Sequence, residues 1–184
     1  STSITSAGGA ISIGNITGFG SNRDVTITSS GGSANTVAVG TIGGGNINAV
    51  AITSGTLTTL NGNITTNDTS GNTVTLVGTT TNGANITIDT NNTNNDGAIN
   101  IESFSSSNNN LVLDSGSADI NLSGATFNLG SGSLTTTGDI NLAANVSITA
   151  TGGMTINDKI DADSASSNDR TLTLNSGTGS AITF

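Results

Sequence analysis

Asp119 and Asp139 stand twenty residues apart in nearly identical settings, Ala118-Asp119-Ile120-Asn121-Leu122 and Gly138-Asp139-Ile140-Asn141-Leu142. Two carboxylates held on one face are what a glycoside hydrolase uses, one as general acid and the other as base or nucleophile. A second acidic group falls between Asn157 and Arg170, where Asp158, Asp161, Asp163 and Asp169 offer several hard oxygens in a short span, the donor type that calcium takes. The rest of the inventory argues against both chemistries. The chain has no His, Cys, Tyr or Trp, so acid-base work would fall to carboxylates, Arg23, Arg170 and Lys159, with no aromatic platform for a sugar ring. The acidic run lacks the glycine and the closing glutamate of a calcium loop, and Lys159 and Arg170 offset part of its charge. The reading is non-enzymatic, with Asp119 and Asp139 as corner residues ahead of a strand and no cofactor assigned.

The elements that must position these residues are very short. Ile120-Asn121-Leu122, Ile140-Asn141-Leu142, Val146-Ser147-Ile148 and Met154-Thr155-Ile156 share one pattern, two apolar residues around a polar one. Strand alternation sends the outer pair inward and the middle residue outward. Ile120, Ile140 and Ile160 recur every twenty residues, with Leu172-Thr173-Leu174 and Ile182-Thr183-Phe184 closing the last unit. Strands of three residues cannot stand alone. A chain that repeats three of them per unit buries them by coiling, each turn stacked on the last through parallel backbone hydrogen bonds. The spacing predicts an all-β fold, a parallel β-solenoid of about 20 residues per coil with three short strands per coil, over residues 1–184 as one segment. That is on the order of nine coils and a rod about 40 Å long.

Toward the N-terminus the pattern loosens but persists, at Ile11/Ile13, Val25/Ile27, Val37/Val39 and Val50/Ile52, with Gly-rich punctuation between. The middle keeps it with longer polar intervals, at Val74/Leu76, Ile86/Ile88, Ile99/Ile101 and Leu111/Leu113, and runs such as 90–96 and 103–110 are expected to bulge from a corner. Asn61-Gly62 and Asn82-Gly83 could each close a β-hairpin, so an antiparallel sandwich is the alternative fold. Asn121 and Asn141 occupy matching places and are expected to form an amide ladder of the kind seen in cross-β stacks.

Composition bounds the function. Hydrophobic residues make up 32% and aromatics 2%, too few for a broad two-layer core but enough for a thin apolar column. Charged residues are only 8% and Pro is absent, which does not suit a solvated coil. The net charge of −9 makes nucleic acid and anionic membrane surfaces poor partners. No apolar run is long enough to span a bilayer as a helix. The absence of cysteine fits an exported protein, and the chain, beginning at Ser1 and stopping inside a strand-like triplet, reads as a piece of a longer one.

Gly97-Ala98-Ile99-Asn100-Ile101, Ala118-Asp119-Ile120-Asn121-Leu122 and Gly138-Asp139-Ile140-Asn141-Leu142-Ala143-Ala144 resemble the repeats of filamentous-haemagglutinin-like proteins, the bacterial surface adhesins secreted by the two-partner route. Asn145-Val146-Ser147-Ile148-Thr149-Ala150 fits as well, and the similarity is clearest over residues 97–184. The resemblance implies a right-handed parallel β-helix exported to the cell surface as a fibrous stalk for attachment, biofilm cohesion or toxin delivery. It carries over no catalytic residues. On this reading the partners are more β-solenoid at both ends, from the same chain or neighbouring copies, and a host or neighbouring-cell surface. Other readings are a self-assembling extracellular filament subunit, a polysaccharide-active β-helix enzyme, and an ice-binding solenoid. The last draws on Thr56-Leu57-Thr58, Thr73-Val74-Thr75, Thr79-Thr80-Thr81, Thr135-Thr136-Thr137 and Thr171-Leu172-Thr173, a pattern that Ile140-Asn141-Leu142 and Met154-Thr155-Ile156 interrupt. Seven Asn-x-Ser/Thr sequons, at Asn15, Asn63, Asn67, Asn85, Asn91, Asn121 and Asn145, are what a chain rich in these residues produces by chance.

Overall fold

A computed structural model describes residues 1–18, 20–32, 34–162 and 170–184. Among them are 22 strands and no helix. All strand pairings are parallel. The chain winds as a β-solenoid of about seven turns, and its coils present three stacked faces. The first face begins at Thr2–Ser6 and ends at Ile160–Asp161, the second runs from Ile11–Ile13 to Leu172–Asn175, and the third from Ile16–Thr17 to Ile182–Thr183. Neither Asn61-Gly62 nor Asn82-Gly83 closes a hairpin. Each lies at a corner, and the strands on either side pair with neighbouring coils.

The core follows from the two-residue alternation. On the first face Ile27, Ile52, Leu76, Ile101, Leu122 and Leu142 stack in one inward column, each at most 4% exposed. Burying a side chain of this size is worth about 1.5–3 kcal/mol. On the second face the column gains Phe104 and Phe127, whose rings stack with centroids 5.2 Å apart. The third face carries Ile16, Ile42, Ile64, Ile88 and Leu113, then Thr136 and Ile156. Polar residues also enter the interior: Thr58, Thr80 and Asn82 are buried on the second face.

The coil is longer than the twenty-residue repeat predicts. Along the first-face column the steps are 23, 25, 24, 25, 21 and 20 residues, averaging roughly 23. The spacing of Ile120, Ile140 and Ile160 is real, and the register pairs all three. It belongs to the last coils alone, where corners are tight. Earlier coils spend extra residues on longer strands and on corner segments such as 90–98. With about seven turns rather than nine, the rod is about 34 Å long at the usual interstrand rise.

Two coils also depart from three separate strands. Val74–Asn82 and Ile99–Ser105 run unbroken around the bend and serve both the first and second faces. The bend in the former falls at Gly78, whose φ of +92° is open to glycine and costly to other residues.

Candidate functional site

The most prominent concavity described lies on the first face near its C-terminal end, a groove of about 440 Å³ lined by Asp119, Asn121, Asp139, Asn141, Lys159 and Asp161, with Arg170 at its margin. Its construction is a direct product of register. Pairing of Ile120 with Ile140 and Ile140 with Ile160 sets the preceding residues Asp119, Asp139 and Lys159 one above another at the entrance to the strand. The amide N–H of Ile120 donates to the Asp139 carbonyl, and that of Ile140 to the Lys159 carbonyl. The residues after each isoleucine, Asn121, Asn141 and Asp161, form the outward rank beside them.

Asp119 and Asp139 therefore do lie one coil apart on the same face, as their spacing predicts. Their neighbour in the next coil decides the electrostatics. Lys159 Nζ contacts Asp139 Oδ2 at 2.8 Å, and this hydrogen bond, with the Asp139 charge behind it, raises the lysine above its ordinary value. The carboxylate that a hydrolytic pair would need is thus bound to an exposed ammonium group. Arg170 donates from Nη1 to the carbonyl of Leu142, closing the other side of the groove.

The calcium set fares differently at each position. Asp158 Oδ2 accepts the Gly138 amide N–H at 2.9 Å, so it clamps one coil to the previous one. Asp161 lines the groove, stacked on Asn141. Asp163 and Asp169 lie outside the described residues. Among the described residues no three acidic side chains group in a way that could hold a metal ion.

Matched against family profiles, curated proteins and solved structures, the chain finds no counterpart. What the site can do must come from its own geometry.

That geometry is one of fastening. Asn121 and Asn141 are in register as their spacing predicts, but the side-chain bonds run upstream instead: Asn121 Nδ2 donates to Asn100 Oδ1 at 2.8 Å, and Asn100 Nδ2 to Thr75 Oγ1 at 3.2 Å. A second device had no signal in the sequence pattern. At the corner before the third face, the Oδ1 atoms of Asn15, Asn63, Asn85 and Asn110 accept the backbone N–H of Thr41, Thr87, Asn110 and Ser133 in the next coil, at 2.8–3.0 Å. Asn145 does the same for Thr171. The sequon asparagines at 15, 63, 85 and 145 are thus engaged through their amide oxygens in coil-to-coil contacts.

Carboxylates repeat the device. Asp68 Oδ1 accepts the backbone N–H groups of Asn94 and Asn95, Asp96 Oδ2 the backbone N–H and the hydroxyl O–H of Ser117, and Glu102 Oε2 the backbone N–H of Gly78. Donors at these distances favour the ionised form, so Asp68, chiefly through the Asn94 side-chain amide, and Asp96, chiefly through the Ser117 hydroxyl, lie below the usual carboxylate value. Asp24 is lowered in the same way, chiefly by Asn48 and then Ser1. Asp89 goes the other way, raised by burial and by Asp114 stacked beside it. Most of the acidic side chains described here spend their lone pairs on the neighbouring coil.

Proposed function

We propose that the chain is a structural segment of an exported fibrous bacterial surface protein, related to the filamentous-haemagglutinin-like adhesins, and acts as a stiff spacer rather than as an enzyme. One observation carries this reading: backbone ladders run without interruption through the coils on all three faces, and Asn and Asp side chains add a second set of bonds along the same axis. Load applied along the rod is shared among many such bonds. Half-buried Ile4, Ile13 and Ile16 at one end and Leu172, Leu174 and Ile182 at the other suit further solenoid coils stacked above and below. The groove around Asp139 belongs to the same scheme, its lysine joining two coils. The setting is the cell surface, and no cofactor takes part.

The test is to raise antibodies against the folded chain, label intact cells of the source organism and measure the mass of the polypeptide captured. Surface labelling with one large polypeptide supports the spacer. A ladder of multiples of 17.9 kDa assigns the chain to a self-assembling filament instead. Capture only from the cell interior overturns both.

A further inference from the structure

The second face differs from the other two in a way that its role as scaffold does not require. Its outward side chains form two ranks set by the strand register. One passes through Thr79, Ser103, Thr126, Ser147 and Thr173. The other passes through Thr59, Thr81, Ser105, Asn128, Thr149 and Asn175. Among the described residues no charged side chain stands in these two ranks, Glu102 lying at the bend beside Ser103, although the chain carries a net charge of −9. Aspartates and asparagines dominate the first face near its C-terminal end, and Asp89 and Asp114 sit side by side on the third. The triplets that seem to interrupt a threonine array, Ile140-Asn141-Leu142 and Met154-Thr155-Ile156, lie on the first and third faces, and the ranks of the second face alternate threonine with serine and asparagine.

The spacing of these ranks is fixed by the backbone. Neighbouring coils are about 4.8 Å apart, and residues two apart along a strand about 6.7 Å. Threonine is stiff about χ1, so its hydroxyl and methyl hold their positions within that grid. A dry protein partner would strand these hydroxyls without hydrogen bonds, at a cost for each. A partner made of water meets them all. Charged side chains, which bind disordered hydration shells tightly, are absent from the surface, and so are the aromatic platforms on which sugar rings stack. Both repeats come close to oxygen repeats on the prism faces of hexagonal ice.

We infer that the second face binds ice, through an uncharged grid of threonine, serine and asparagine side chains. The reading is independent of the spacer function, since a stalk can present such a face along its length.

The experiment measures thermal hysteresis and partition into slowly growing polycrystalline ice for the 184-residue chain, with folding followed by circular dichroism. The unmodified chain is expected to shape ice crystals and enrich in the ice fraction. Replacing Thr126→Lys and Thr149→Lys together, on the second face, abolishes both effects, whereas Thr5→Lys with Thr26→Lys, outward on the first face, preserves them. If the first pair fails to fold, Ser105→Lys at an exposed site of the same face is read instead, with the same expected loss. Absence of hysteresis in the unmodified chain overturns the inference, as does equal loss from the first-face pair. Retention on insoluble cellulose or chitin with no effect on ice assigns the face to a polysaccharide and overturns it too.

Discussion

Thr136 sits where a scaffold of this kind has no use for a hydroxyl. It is 1% exposed, with Leu113 in register on one side and Ile156 on the other, and its Oγ1 has no hydrogen-bond partner. A hydroxyl buried without a partner costs about 1–3 kcal/mol by mutational data. Valine keeps the branched outline and the χ1 preference of threonine while removing the polar atom. Thr136→Val is therefore expected to stabilise the chain by about 1–3 kcal/mol, the range set by the unmet hydroxyl. For a chain of this length each kcal/mol moves the midpoint by about 2–4 °C, so thermal melting should shift upward by about 2–12 °C. In a solenoid each coil feels mainly its nearest neighbours, so hydrogen exchange should slow chiefly in the coils of Leu113, Thr136 and Ile156. Thr135→Val is the control, one residue away and facing out, and should change stability by less than about 0.5 kcal/mol. An unchanged or lowered midpoint for Thr136→Val would refute the assignment of this side chain to a dry interior.

Three further outcomes follow from the same geometry. Asp24 and Asp96 have folded values below 3.8, so their contribution is complete above that pH and is lost as pH falls through the lowered values; Asp96→Asn should flatten the acid limb of a stability profile measured from pH 7 to pH 2. Asp89 has the opposite sign: its raised value means that the folded state favours the protonated form, so Asp89→Asn should raise the melting midpoint at pH 7 and lose that advantage below about pH 3.8. Gly78→Ala combines a left-handed backbone with a Cβ pressed against the Ser54 carbonyl oxygen, and should cost about 1–3 kcal/mol in urea unfolding, with loss of pairing between Val74–Asn82 and its neighbours.

The architecture was legible where apolar and polar residues alternate cleanly. Ile120-Asn121-Leu122 and Ile140-Asn141-Leu142 declare their inward and outward sides, and their register in the solenoid matches the pattern. Coil length was less legible, because corners obey no periodicity: the segment 90–98 adds residues that hydrophobic spacing does not count. Thr79-Thr80-Thr81 and Thr135-Thr136-Thr137 show the other limit. A run of one residue type carries no alternation, so nothing in it says that Thr80 and Thr136 turn inward or that Thr79 and Thr81 share an outer face with Ser103 and Ser105. The groove residues Asp119 and Asp139 were legible as a stacked pair, since their repeat is the most regular in the chain. Lys159 as the next step of that stack follows from the same twenty-residue interval, while the clamping role of Asp158 and of the corner asparagines depends on backbone N–H groups one coil away, which a linear reading does not place.

Because surplus residues are taken up at corners, in longer strands and at bends such as Gly78 while successive coils stay paired, this rod measures distance in turns and ignores how many amino acids each turn contains. Adding a loop at a corner would thicken it locally and leave its reach unchanged; only a whole extra winding could carry its far end farther out.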